Sequence, residues 1–243
     1  MSLIVEFVGP PCSGKSVLCS RVADELQGHG IVVDPVFGSD SGMGAVRMQG
    51  RRLRFLLHHL LVRPVPTLRW VRMVLRSKQR SWNDFRAVLL NAVYKAESVR
   101  RCAGRDGVLL FDEGPFHAIW GIGYSGNRFR SPGSAELECL LDIPRGSRHV
   151  VIVVDVERRE VVRRLAGRSA TSRVQRDLDR EGEAAVERAI QRYSELLPAM
   201  HEYVEGRQDA CILHVGNNAP PEEAAREVVD RIRSMVSEPG GDG

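Results

Sequence analysis

Gly9-Pro10-Pro11-Cys12-Ser13-Gly14-Lys15-Ser16 is the stretch on which the fold of this chain turns. It fits the pattern G-x-x-x-x-G-K-[ST], and its flanks carry as much information as its letters. Before it runs LIVEFV, Leu3 to Val8, an apolar stretch that reads as a buried strand. After it, Val17, Leu18, Val22, Ala23 and Leu26 recur at a helical period from Ser16 to Leu26, and Gly28 and Gly30 end the run. A glycine-rich turn between a strand and a helix N-terminus makes a seat for phosphate. Gly14 lets the backbone come close, and successive N–H groups at the helix start point at the phosphate oxygens. Pro10 and Pro11 have no N–H to give. The cradle is therefore expected from Cys12, Ser13, Gly14, Lys15, Ser16 and Val17, with Pro11 counted in the same ATP-binding set. Lys15 would reach the β- and γ-phosphates, and the Ser16 hydroxyl would ligate Mg²⁺.

Outward from this loop, apolar runs alternate with helical patterns. Ile31 to Val36 reads as a second strand, Gly107 to Phe111 as a third, Val150 to Val154 as a fourth and Ala210 to Val215 as a fifth. Between the second and third strands lie three helical segments, about Val46 to Leu61, Thr67 to Gln79 and Trp82 to Ala103, with Pro64 and Pro66 between the first two. A short helix follows Pro115, another lies near Ala135 to Leu141, and the stretch from Glu157 to about Tyr203 is helical around an Arg/Ser-rich break, Gly167 to Arg173. Pro221 to Met235 closes the chain as a helix. Continuously apolar strands alternating with helices predict a parallel sheet covered on both faces. One α/β domain is expected, with a basic helical insertion at about 46–105 and a lid at about 163–180.

Two groups beside the phosphate loop carry candidate chemistry. Asp112 and Glu113 follow the third strand, and ligands of α/β sheets sit outside the carboxyl ends of strands. Asp112 is the candidate catalytic or Mg²⁺-linked acid. Glu113 is the candidate base or water-orienting group, its plain alternative being a helix N-terminal acid favoured by the macrodipole. Asp34 and Asp40, after the second strand, are the reserve candidates, Asp40 also as an acceptor contact. After the fourth strand come Arg163, Arg164, Arg168 and Arg173. An arginine-rich segment that folds over triphosphate would stabilise charge spread over the transferring group. Arg164 is assigned to ATP binding and Arg168 and Arg173 to catalysis. Arg163 and Arg164 are adjacent, so at most one faces the site.

The bulk composition excludes several classes. With 43% hydrophobic and 27% charged residues in 243, the chain has a globular composition. No apolar run nears the roughly 18 to 20 residues of a membrane span, and the N-terminus lacks a signal peptide's basic region and cleavage site. Five cysteines without a Cys-x-x-Cys pair argue for reduced thiols rather than disulfides or zinc, and a cytoplasmic location is expected. Net charge is only +4, yet Arg47 to Arg105 holds 15 Arg/Lys against Asp84 and Glu97, leaving −9 for the remainder. In Thr67 to Gln79, helical spacing sets Arg69, Arg72 and Arg76 on one face and Leu68, Val71, Val74 and Leu75 on the other. The plainest reading is a helix packed on the domain with solvated arginines. A basic wall for an anionic acceptor comes next, and contact with an anionic membrane or nucleic acid last. Arginine outnumbers lysine 32 to 3, so a lysine in the phosphate loop carries extra weight.

The phosphate loop, Asp112 at the end of the third strand, the arginines after VIVVDVERREVVRRLAGR and the final strand before Asn217-Asn218-Ala219-Pro220-Pro221-Glu222-Glu223 together resemble the nucleoside- and nucleotide-kinase branch of P-loop proteins, nearest the thymidylate-kinase-like members. The similarity covers about Leu3 to Gln27 and Gly107 to Arg233 and is weak across Val46 to Ala103. The resemblance implies a three-layer P-loop NTPase fold, a five-stranded parallel sheet with the phosphate-loop strand central, ATP and Mg²⁺, and transfer of the γ-phosphoryl group to a small-molecule hydroxyl. Thymidylate kinases carry Asp-Arg where this chain has Asp112-Glu113. A glutamate there repels an acceptor phosphate, so a hydroxyl-bearing nucleoside-like or sugar-type acceptor is expected. VLLFDE also suits an NTPase in which Glu113 polarises water, so a regulatory or mechanical ATP hydrolase is the alternative. A nucleotide-binding module without turnover is the third.

Overall fold

The computed structural model describes residues 2–35, 45–102, 105–144, 146–166, 177, 180–217 and 221–237. Five strands, β1 (Ser2–Val8), β2 (Val33–Pro35), β3 (Gly107–Phe111), β4 (Arg148–Asp155) and β5 (Ala210–Gly216), form one parallel sheet in the order β2-β3-β1-β4-β5. The phosphate-loop strand β1 is central, as expected. Its two faces separate by the period of two that any strand has. Leu3, Val5 and Phe7 pack on one side with α1 (Lys15–Gly28) and the C-terminal helix α9 (Pro221–Ser237). Ile4 and Val8 pack on the other, in a larger core shared with the remaining helices.

Those helices are α2 (Ala45–Val62), α3 (Pro64–Arg76), α4 (Trp82–Cys102), α5 (Pro115–Ser125), α6 (Ser134–Leu141), α7 (Arg158–Ala166) and α8 (Glu183–Glu205). The chain is therefore a three-layer α/β fold with helices on both faces of a parallel sheet, and α2, α3 and α4 fill the gap between β2 and β3.

Two elements differ instructively from expectation. β2 covers Val33–Pro35 where Ile31 to Val36 was expected: the Ile31 N–H is taken by the Leu26 carbonyl at the end of α1, so the edge strand starts two residues late, and Val36 lies outside the described residues. Pro64 and Pro66 mark the break between α2 and α3, as expected, but lie inside α3 rather than before it. They occupy its first turn, where no N–H is needed, so the helix starts three residues early. Its buried face also differs. Thr67, Trp70, Met73 and Val74 point inward, while Leu68 and Leu75 are 58% and 60% exposed. Packing the Trp70 indole into the core rotates the helix by about 100°, one residue's worth, from the face that counting aliphatics predicts. No helix among the described residues is long and apolar enough to cross a membrane.

Candidate active site

The turn after β1 takes the shape its glycines allow. Gly9 and Gly14 adopt φ of 159° and 91°, and Cys12, a non-glycine, is held at 61°. Gly14 caps α1 in the left-handed region with no side chain closing the helix end. The first N–H groups of α1 therefore need partners from outside the helix, which makes this an anion seat. Gly14 is also required by its neighbours: a Cβ there would overlap the Asn217 amide and press on the Arg164 guanidinium.

Lys15 differs from the expectation of a cation reaching outward. It is buried, and its ammonium donates to the carbonyls of Gly9 and Pro10, 2.9 Å each. Burial lowers its pKa to about 8, against the pull of Glu113, Cys12 and Asp112. Cys12 and Ser13 are buried too, while Ser16 and Val17 are exposed at the mouth.

Asp112 leaves β3 beside the loop, where the Ser16 hydroxyl offsets part of an upward pKa shift driven by burial and the Glu113 charge. A hydroxyl and a carboxylate so placed could hold a hard divalent cation with waters and phosphates as its other ligands. Glu113 is about half exposed and pairs with Lys95 of α4 at 3.0 Å, with His117 of α5 at 3.7 Å. The Lys95 charge holds the Glu113 carboxyl well below the usual range. Burial keeps the His117 imidazole neutral, with its pKa lowered to about 3. Glu113 is thus ionised but weakly basic, and its charge is compensated, which softens the repulsion of an acceptor phosphate that the sequence suggested.

Between the phosphate loop and α5 opens a cavity of about 320 Å³. Gly14, Lys15 and Ser16 form one wall, and Glu113, Trp120 and Tyr124 the other. Trp120 and Tyr124 stack, with ring centroids 5.3 Å apart. The Tyr124 hydroxyl is 2.8 Å from Asp177, which lies 3.6 Å from both Arg80 and Arg188, so three segments converge behind the aromatic wall. Burial pushes the Tyr124 hydroxyl up to about 12.

Arg164 approaches the loop from behind. Its Nη1 donates to the carbonyls of Cys12 and Ser13, Nη2 to that of Asn217, and Nε to Glu160. Arg163 turns to Glu160 in solvent, as adjacency required. Arg168, Arg173 and Asp40 lie outside the described residues. Asp34 is engaged by Arg105 on the edge strand. Arg69, Arg72 and Arg76 are exposed on α3 and none lines the phosphate-loop cavity; Arg76 faces a separate cavity with Arg128 and Arg130.

Several site residues escaped the sequence reading, Trp120 and Tyr124 of the cavity wall among them. Glu6 sits fully buried in β1 and accepts from the N–H groups of Phe116 and His117, capping α5 from below. A carboxylate inside LIVEFV was its signal. Lys95 could have been found by the scarcity of lysine that singled out Lys15. Asn217, whose amide donates to Ser13 at 2.5 Å, was within the final motif. His117 had no local signal.

The sequence matches no protein-family model and no curated protein. Among solved structures, the chain is similar to deoxyadenosine kinase from M. mycoides with bound dATP, at TM-score 0.53 and 12% identity, covering 95% of this chain and 99% of that one. The same enzyme with products dCMP and a flexible dCDP bound aligns at TM-score 0.49 and 10% identity, over 96% and 99%. The likeness at TM-score 0.53, at 12% identity, establishes a shared fold.

Proposed function

We propose that the chain is a P-loop small-molecule kinase that moves the γ-phosphoryl group of ATP to a hydroxyl of a nucleoside-like acceptor. One observation carries the reading: the cavity that opens on the phosphate loop is closed on its far side by a carboxylate and a stacked aromatic pair. A hydrolase needs only water there. A flat apolar wall beside a fixed hydrogen-bond acceptor suits a planar organic acceptor that presents a hydroxyl. The solved structure sharing this fold is a deoxyadenosine kinase, which supports the same substrate class; a thymidylate-kinase-like placement has no support from it beyond the fold.

In this reading the α1 N-terminus and Lys15 bind the triphosphate, and Lys15 exchanges the Gly9 and Pro10 carbonyls for phosphate oxygens. Ser16 and Asp112 would hold Mg²⁺, which offsets phosphate charge when bound. Glu113, fixed by Lys95, accepts a hydrogen bond from the acceptor hydroxyl and aligns its oxygen for in-line attack. The O–P bond to the acceptor forms as the γ-phosphoryl bond to ADP breaks, and the hydroxyl proton, acidified once that bond has formed, leaves late through Glu113 to solvent. Transfer is largely dissociative, so positioning matters more than base strength and a weakly basic Glu113 is adequate. Arg168 and Arg173 belong to the reading as lid cations that exclude water and bear on transfer more than on ATP affinity.

The test is transfer of ³²P from γ-labelled ATP into nucleosides and sugar metabolites, run beside phosphate release. Release should be slow alone, with labelled product appearing with a specific hydroxyl acceptor. Glu113→Gln should lower transfer about 10- to 100-fold with little change in ATP affinity, whereas Asp112→Asn should also weaken Mg²⁺-dependent binding. Fast release that no acceptor alters, with no labelled product, would transfer the assignment to the ATP hydrolase.

A further inference from the structure

The α2–α3 hairpin leaves uncovered what a soluble helix pair normally buries. Along α2, Leu53, Leu57, Leu60 and Leu61 recur at i, i+4, i+7 and i+8, the spacing of a core face, yet they are 42–84% exposed. Buried contact with the domain is made by other positions of α2, Phe55 and His59. Beyond the corner, Val65, Leu68 and Leu75 of α3 are 58–60% exposed. Of the twelve large hydrophobics exposed among the described residues, eight lie on these two helices, so the exposed apolar side chains are concentrated on this helix pair.

Its charge is equally one-sided. From Arg47 to Asn83 the sequence has ten Arg/Lys and no Asp or Glu. On α3, Arg69, Arg72 and Arg76 fall at i, i+3 and i+7, beside the Leu68–Leu75 edge rather than opposite it. Arg54 occupies the corresponding flank of the α2 leucine stripe. These four guanidiniums are exposed and make no salt bridge among the described residues, whereas Arg63 at the corner is held by Asp142.

We propose that this hairpin is a membrane-surface contact, in which the leucines enter the headgroup–acyl boundary of an anionic bilayer and the flanking arginines meet lipid phosphates. Leucines bordered by snorkelling arginines on one exposed arc are the composition of a helix lying in that interface. The charge selects this occupant over the others. A second copy of the chain would bring the exposed Arg54, Arg69, Arg72 and Arg76 of two net-basic surfaces face to face and repel. Nucleic acid would leave the leucine stripe without a partner. An anionic lipid surface satisfies both halves, pairing the guanidiniums with phosphates while the leucines leave water.

Sedimentation of the full chain with vesicles of phosphatidylcholine, alone or mixed with phosphatidylglycerol, tests this. Binding is expected to the mixed vesicles and not to the neutral ones, and it should weaken as salt rises. The double variant Leu57→Glu/Leu61→Glu, at exposed positions away from the phosphate-loop cavity, should lower binding at least about tenfold while thermal stability and ATP turnover stay as in the parent. Arg69→Glu/Arg72→Glu should remove the preference for anionic lipid. The proposal is overturned if the parent ignores anionic vesicles, or if the leucine variant binds them as well as the parent. It is equally overturned if light scattering without lipid shows a dimer that the leucine variant splits, since the occupant is then a second copy.

Discussion

Lys15 shows how much the environment of one residue decides. Its ammonium, bonded to Gly9 and Pro10 carbonyls, is buried enough to titrate near pH 8. Triphosphate placed against it would favour the charged form and raise that pKa. At pH 8, where the empty protein carries about half a proton on this group, nucleotide binding should therefore take up about half a proton per site. Calorimetry at pH 8 in buffers of different ionisation enthalpy reads this directly; an apparent enthalpy independent of buffer would refute it. Lys15→Ala should abolish turnover, and because it also strips two loop carbonyls of a donor it should cost about 1 kcal/mol of stability, seen as a small fall in Tm. The pairing of Glu113 with Lys95 is the other residue-scale result. It converts a suspected general base into a fixed, ionised hydrogen-bond acceptor.

At the scale of elements, the phosphate loop is held in shape by two segments far away in sequence. Arg164 on α7 and Asn217 after β5 both grip the Ser13 carbonyl, and Arg164 also binds the carbonyls of Cys12 and Asn217. Apart from Nε, held by Glu160, the donors of Arg164 go to backbone carbonyls in this structure, so under the proposed function its part would be to keep the loop formed. Arg164→Ala should cost about 1–3 kcal/mol of stability and weaken ATP binding through a looser loop. Arg164→Lys should not restore it, since a single ammonium cannot make the forked contacts. A double-mutant cycle with Asn217→Ala, read by urea denaturation, should give a coupling of about 0.5–3 kcal/mol. Strict additivity would mean the two act independently. α3 teaches the complementary lesson: aliphatic spacing located the helix, but the Trp70 indole chose which side faces in.

For the whole molecule, the buried carboxyl of Glu6 ties global stability to pH. Burial raises its pKa from 4.5 to about 8, only partly offset by the Phe116 and His117 N–H bonds. The native state then holds a proton that the unfolded chain has released, so the Glu6 contribution is complete below about pH 4.5 and is lost as pH rises towards 8, at up to about 1.4 kcal/mol per pH unit. Glu6→Gln should keep the amide–carbonyl capping of α5 while flattening that slope, with its advantage over the parent greatest near pH 8. Urea midpoints of both proteins at pH 5, 6.5 and 8 provide the check; parallel profiles would contradict it. The fold itself was legible in the sequence, because its signals are contiguous: LIVEFV, a motif of eight residues and four further apolar runs are read without knowing any distant contact. Strand ends drifted by a residue or two, and β2 began two residues late, since edges depend on neighbours. Of the candidate site, the loop and the Asp112-Glu113 pair were readable for the same reason. Lys95 against Glu113, Glu6 under α5, Asn217 on Ser13 and the outward leucines of α2 were decided by tertiary structure alone. Each joins residues tens to hundreds apart, and only packing determines which side of an element meets another.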